Sequence, residues 1–182
     1  MSLRIFIVSI LIIYYPQKDV HFIFWNKLHK LNYDDFKGLV DSNSKNDALS
    51  YPTVNVSISF EDSKTHFDIY AIFNVDSSWI RAKSESLLTH EQGHFDICEI
   101  MARKLKQRLL KLIAKKSSES TIQREINIFY GELKNIQIKY DKETNHGKNF
   151  IYQNKWNEYI SQDLKKYQRY EMSKNEVTDD IK

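Results

Sequence analysis

The sequence predicts an α+β domain: a small antiparallel sheet first, then a long helix, then two further helices. Three observations carry this. Apolar residues alternate with period two up to about residue 75. They recur with period 3.6 from about residue 78 onward. The strand-like stretches all precede the helix-like ones. The chain has 182 residues, 41% hydrophobic and 28% charged, which suits one domain with a core of its own.

Residues 1–18 hold Arg4 followed by an apolar run from Ile5 to Ile13, broken only by Ser9. The run falls short of the about 20 residues needed to span a bilayer. It reads as an export signal or anchor, although no small-x-small cleavage site is clear. The other reading is a buried β-strand, because the run is rich in Ile and Val. Residues 19–171 then form a single domain, and 172–182 a polar tail.

Within the domain, Val20 to Trp25 reads as a strand, followed by a turn and a short helical turn capped by Asp34. Residues 40–50 are turn-rich and read as a surface loop. Val54, Val56, Ile58 and Phe60 alternate with polar residues, so this strand is half-buried. Phe67 to Val75 is its hairpin partner, with the turn between Glu61 and Lys64. Leu87, His90, His94, Ile97, Met101, Leu105 and Leu109 then form the stripe of a helix running from about Ser78 to Lys116. A second helix is expected from about Thr121 to Tyr140, capped by Ser120, and a third from about Asn149 to Tyr170. Arg103, Lys104, Lys106 and Arg108 read as a solvated face of the long helix.

Composition excludes several functions. The four glycines, Gly38, Gly93, Gly131 and Gly147, are too dispersed for a phosphate-cradling loop, so no nucleotide is expected. The lone Cys98 permits no intramolecular disulfide and no Cys-rich zinc module. A net charge of +3 is too mild to imply nucleic acid.

One motif carries chemistry. His90-Glu91-Gln92-Gly93-His94 is an H-E-x-x-H sequence on a helix. For this composition its chance expectation is about 0.01. Histidines four residues apart stand one turn apart on one face and can converge on one Zn²⁺. Glu91 beside them is placed as general base toward a metal-activated water. Both histidines share the apolar stripe, and buried imidazoles are costly unless paired or liganded.

A catalytic zinc takes three protein ligands. Cys98 lies eight residues from His90, about 12 Å along the axis, and reads as a small buried residue. Asp96 and Glu99 leave the helix off the histidine face. Two candidates remain: Glu132 in the second helix and His146 in the turn that follows it. His21, His29 and His66 have no such context and read as surface or ordinary core residues.

With these residues in place, the chain resembles a bacterial family of predicted secreted zinc-dependent proteases, domain-of-unknown-function family nine-two-two. The resemblance rests on Trp25 with the Leu31 to Gly38 stretch, on Ser78-Trp79, on Leu88 to Ile97 with Glu99 and Ala102-Arg103, and on Tyr140 to Gly147 with Gln153 and Trp156. The last block resembles the family's Tyr-Asp-x-Glu-Thr-x-His-Gly signature, which implies His146 as third ligand, with Glu132 the alternative.

The reading that results is a zincin-like zinc peptidase acting on a protein or peptide in the periplasm, the envelope or outside the cell, touching membrane only through an N-terminal anchor. The competing reading is a non-catalytic zinc-binding interaction module of the envelope. Ala71 to Trp79 is expected as the edge strand that pairs with substrate. Tyr140 or Tyr152 is expected to stabilise developing oxyanion charge. Asp141 and Glu143 are expected to orient a ligand histidine or to cap the turn.

Overall fold

The computed structural model describes residues 20–61 and 64–171. The N-terminal apolar run and the polar tail therefore lie outside the described residues. The architecture is α+β: a small antiparallel sheet and three helices.

The sheet has strand order β1-β4-β3, with β1 at Phe22–Phe24, β3 at Pro52–Glu61 and β4 at Lys64–Asn74. The expected hairpin is present. Val54 pairs with Ala71, Val56 with Ile69 and Ile58 with Phe67. These period-two residues lie on one face and join the core with Phe73. A separate two-stranded ladder joins β2, Ala48–Leu49, to β5, Trp79–Ile80.

Helix α1, Glu85–Ala114, packs against β3, β4 and the other two helices. It contains no proline, and its 30 residues make it about 45 Å long. Helix α2, Glu119–Thr144, buries Ile122, Ile126, Phe129, Leu133 and Tyr140 from the expected stripe. Helix α3 is Phe150–Lys166, capped by Asn149. Among the described residues no helix is long and apolar enough to cross a membrane.

Four expectations change. The long helix starts at Glu85, not near Ser78, because the intervening chain is extended and pairs as β5 with β2. That same ladder sits inside the supposed surface loop, whose Ala48 is buried. The caps fall on Asn32, which accepts from Asp34, and on Ser118, which accepts from Thr121; Asp34 and Ser120 belong to the first turns they were expected to cap. Finally, β1 and β3 cover both sides of β4 from Ala71 to Asn74, so that stretch cannot receive a substrate strand.

The basic face of α1 is also not simply solvated. Arg103 and Lys106 are buried. The Arg103 guanidinium donates from Nε to Glu99 at 2.7 Å and from Nη1 to the Leu164 carbonyl at 2.8 Å. Lys104 pairs with Asp163 at 2.6 Å. Helix α3 crosses this side of α1, so the charges are spent on holding helices together.

Candidate metal centre

His90 and His94 come from the second and third turns of α1, and both are buried, at 1% and 9% exposure. Their Nε2 atoms stand 3.1 Å apart. The last turn of α2 brings Asp141 to them. Its Oδ1 lies 3.1 Å from His90 Nε2 and 3.0 Å from His94 Nε2. Among the described residues, His90, His94 and Asp141 form the one cluster of His, Cys, Asp and Glu close enough to hold a metal ion.

The other ring nitrogens are committed. His90 Nδ1 faces Gln153 Oε1 at 3.2 Å, and His94 Nδ1 faces Gln137 Oε1 at 2.6 Å. The glutamine amides are fixed in this sense by their own donors. Gln137 Nε2 donates to the His94 carbonyl at 3.0 Å, and Gln153 Nε2 donates to the Tyr140 hydroxyl at 2.7 Å. Each glutamine oxygen can only accept, so each imidazole, when neutral, carries its proton on Nδ1 and turns a lone pair inward.

Three acceptors therefore converge: two imidazole lone pairs and a carboxylate oxygen. One proton cannot satisfy all three contacts, whereas a cation at their centre satisfies each. Donor atoms on one tetrahedral zinc, at bond lengths of about 2.0–2.2 Å, stand roughly 3.3 Å apart. The two-nitrogen, one-oxygen set and its glutamine partners could thus hold a metal ion. The same field acts on the protons. Burial alone would raise the Asp141 carboxyl, but its close contacts with His90 and His94 outweigh it and hold Asp141 far below the usual carboxylate range.

Tyr140 forms the floor. Its ring stacks on His90 at 4.6 Å and 19°, and its hydroxyl donates to the His90 carbonyl at 3.1 Å. It is fully buried and hydrogen-bonded, so it is not the oxyanion donor expected from the sequence. Tyr152 lies with Trp156 and Lys139 around a separate hollow, away from the histidines.

The turn after α2 has three successive residues in the left-handed region: Asn145 at φ 49°, His146 at φ 52° and Gly147 at φ 76°. This folds the chain back over the cluster. His146 Nδ1 reaches 3.3 Å from Asp141 Oδ1, with its side chain half exposed. His146 thus stands at the rim, and Asp141 takes the close position beside the two motif histidines. Glu132 is elsewhere: its carboxylate pairs with Arg108 at 2.7 Å. Glu143 accepts from Trp156 Nε1 at 2.9 Å and orients neither histidine.

The cluster opens into a cleft of about 270 Å³. One wall is the segment Asn46 to Pro52, which includes β2; the other is the turn carrying His146 and Lys148. Glu91 lines the cleft at 5% exposure and accepts from the Ser50 hydroxyl at 2.5 Å. A larger groove of about 930 Å³ lies on the opposite side of α1, against Trp25, Gln92 and Arg103. It is mainly apolar, and the histidine cluster opens into the smaller cleft instead.

The sequence points to neither Ser50 nor Gln137, and it offers Gln153 only within the family resemblance, with no role on His90. A serine in a turn-rich stretch and glutamines on helices have no local signature, since their roles depend on contacts 41 to 63 residues away.

The profile of a bacterial protein family of unknown function, DUF922, matches residues 48–147. That span begins at β2 and ends at Gly147, and so includes Ala48 to Pro52 of one wall, His146 of the other and all three donors. No curated protein and no solved structure matches the chain.

Proposed function

We propose that this chain, which belongs to the bacterial DUF922 family of unknown function, is a zinc-dependent peptidase with Glu91 as general base. The observation that carries the reading is the convergence of His90 Nε2, His94 Nε2 and Asp141 Oδ1 beside an open cleft that Glu91 also lines.

His90, His94 and Asp141 would hold the ion, with His146 in reach of the same carboxylate oxygen. When bound, zinc would supply Lewis acidity, polarising a peptide carbonyl and making a water easier to deprotonate. Glu91 takes the proton from the attacking water as its oxygen bonds to the carbonyl carbon. It then passes that proton to the departing amine nitrogen as the C–N bond breaks. Gln137 and Gln153 keep both imidazoles in the tautomer that points Nε2 inward. Since β1 and β3 cover both sides of β4 from Ala71 to Asn74, the Ala48–Leu49 strand takes over the expected role of pairing with extended substrate; it lines the cleft and is paired on one side by β5. An exported location, as the N-terminal run suggests, belongs to the same proposal.

The test is a quenched-fluorescence peptide library with purified, zinc-loaded protein, run beside Glu91→Gln. Expected is cleavage by wild type that falls about 10²–10⁴-fold in the variant, with zinc content unchanged. Zinc retained in both with no cleavage by either would support the non-catalytic binding module instead.

A further inference from the structure

We infer that Ser50 is the positioning residue for the Glu91 carboxylate, so that the wall of the cleft aims the general base. The inference rests on the peptidase reading for its catalytic consequence and on geometry alone for the positioning.

Glu91 is nearly buried, and among the described residues the Ser50 hydroxyl is the one hydrogen-bond donor to its carboxylate. The contact is close, 2.5 Å from oxygen to oxygen. It engages Oε2, and among the described residues no donor engages Oε1. A carboxylate on a three-torsion side chain would otherwise sample several rotamers. Fixing one oxygen fixes the direction of the other, which is the one left to take a proton.

Ser50 is itself held firmly. Immediately before it, Leu49 pairs with Trp79 in the β2–β5 ladder. Immediately after it, the Tyr51 amide donates to Ser78 Oγ at 3.0 Å, and the Tyr51 carbonyl accepts from the Asn74 amide at 3.1 Å. Ser78 is fully buried and donates to the Asn74 carbonyl at 2.5 Å. The hydroxyl is therefore mounted on a pinned segment rather than on a free loop. Because Ala48, Leu49 and Ser50 also line the cleft, a substrate seated against this wall is in register with the base.

The experiment compares zinc-loaded wild type, Ser50→Ala and Ser50→Thr by crystal structure, by zinc content and by kinetics on the peptide library. Expected for Ser50→Ala is full zinc content, a Glu91 carboxylate turned from its wild-type position, and a kcat lower by about tenfold to a hundredfold at nearly constant KM. Ser50→Thr keeps the hydroxyl and recovers both the carboxylate position and most of kcat. An unchanged Glu91 rotamer in Ser50→Ala, or an unchanged kcat, overturns the inference. If wild type cleaves no peptide, the peptidase reading fails, and the Glu91 rotamer in the two variants still decides whether Ser50 positions it.

Discussion

At Asp141 one carboxylate oxygen lies within 3.1 Å of two imidazole nitrogens, so this residue carries the sharpest single-site prediction. Asp141→Ala should lose stoichiometric zinc, while Glu132→Ala, which removes an exposed partner of Arg108, should retain one ion per chain. Metal content by mass spectrometry separates the two, and zinc held by Asp141→Ala at wild-type level would return the third position to His146. Cys98 gives a second residue-scale prediction. Burial pushes its thiol up to about 12, with the Gln137 amide pulling only weakly the other way. It should resist a thiol-reactive dye at about pH 8 in the native protein and react fully in denaturant. Rapid native labelling would show that the α1–α2 interface opens.

Among the elements, α1 and the turn after α2 decide whether the cluster assembles. Gly93 lies where α1 meets Tyr140: a Cβ there would stand 2.1 Å from the Tyr140 hydroxyl oxygen. Gly93→Ala must push Tyr140 away, and Tyr140 is stacked on His90 and bonded to its carbonyl. We expect a loss of about 1–3 kcal/mol in chemical denaturation together with weakened zinc binding. Gly147 has φ 76° and faces His90 Cβ, which an added Cβ would approach to 2.9 Å. Gly147→Ala therefore combines backbone strain with a clash and should also weaken zinc binding, whereas an alanine at Gly131, which has open space, should not.

The molecule as a whole packs α1 between a sheet and two helices, with both motif histidines inside, so a metal bound there would be coupled to stability. Zinc at a hundred times its Kd should add about 2.7 kcal/mol. For a chain of this size that raises Tm by about 5–10 °C. The pH dependence follows from His94. In the metal-free protein its burial opposes protonation, but the Asp141 hydrogen bond and the charges of Glu91 and Asp141 outweigh it, and its pKa lies above the ordinary value. A histidine raised on folding contributes stability that is full below its unfolded pKa and is lost as pH rises through the folded value. The metal-free protein therefore loses this contribution toward alkaline pH, while zinc, which needs both rings neutral, binds better there. The zinc-induced rise in Tm should grow from about pH 6 to about pH 8 in differential scanning fluorimetry. A rise that shrinks over that interval would contradict the histidine assignment.

The sequence by itself determined the α+β class, the β3–β4 hairpin, three helices and the His90-Glu91-x-x-His94 face. Each is a local periodicity or spacing, and backbone geometry turns such patterns directly into a face or a ladder. It also carried Asp141 and His146 in one short block, but could not say which stands close to the histidines. That was decided by three consecutive left-handed residues, which fold His146 back to the rim and leave the Asp141 carboxylate between the two rings. Ser50 on Glu91, the two glutamines on the ring nitrogens and the β2–β5 ladder inside a polar loop belong equally to the tertiary structure. Each joins residues 30 to 63 positions apart. A hydrogen bond over that separation leaves no pattern in sequence, because its strength depends on where packing places the partners and not on their neighbours in the chain.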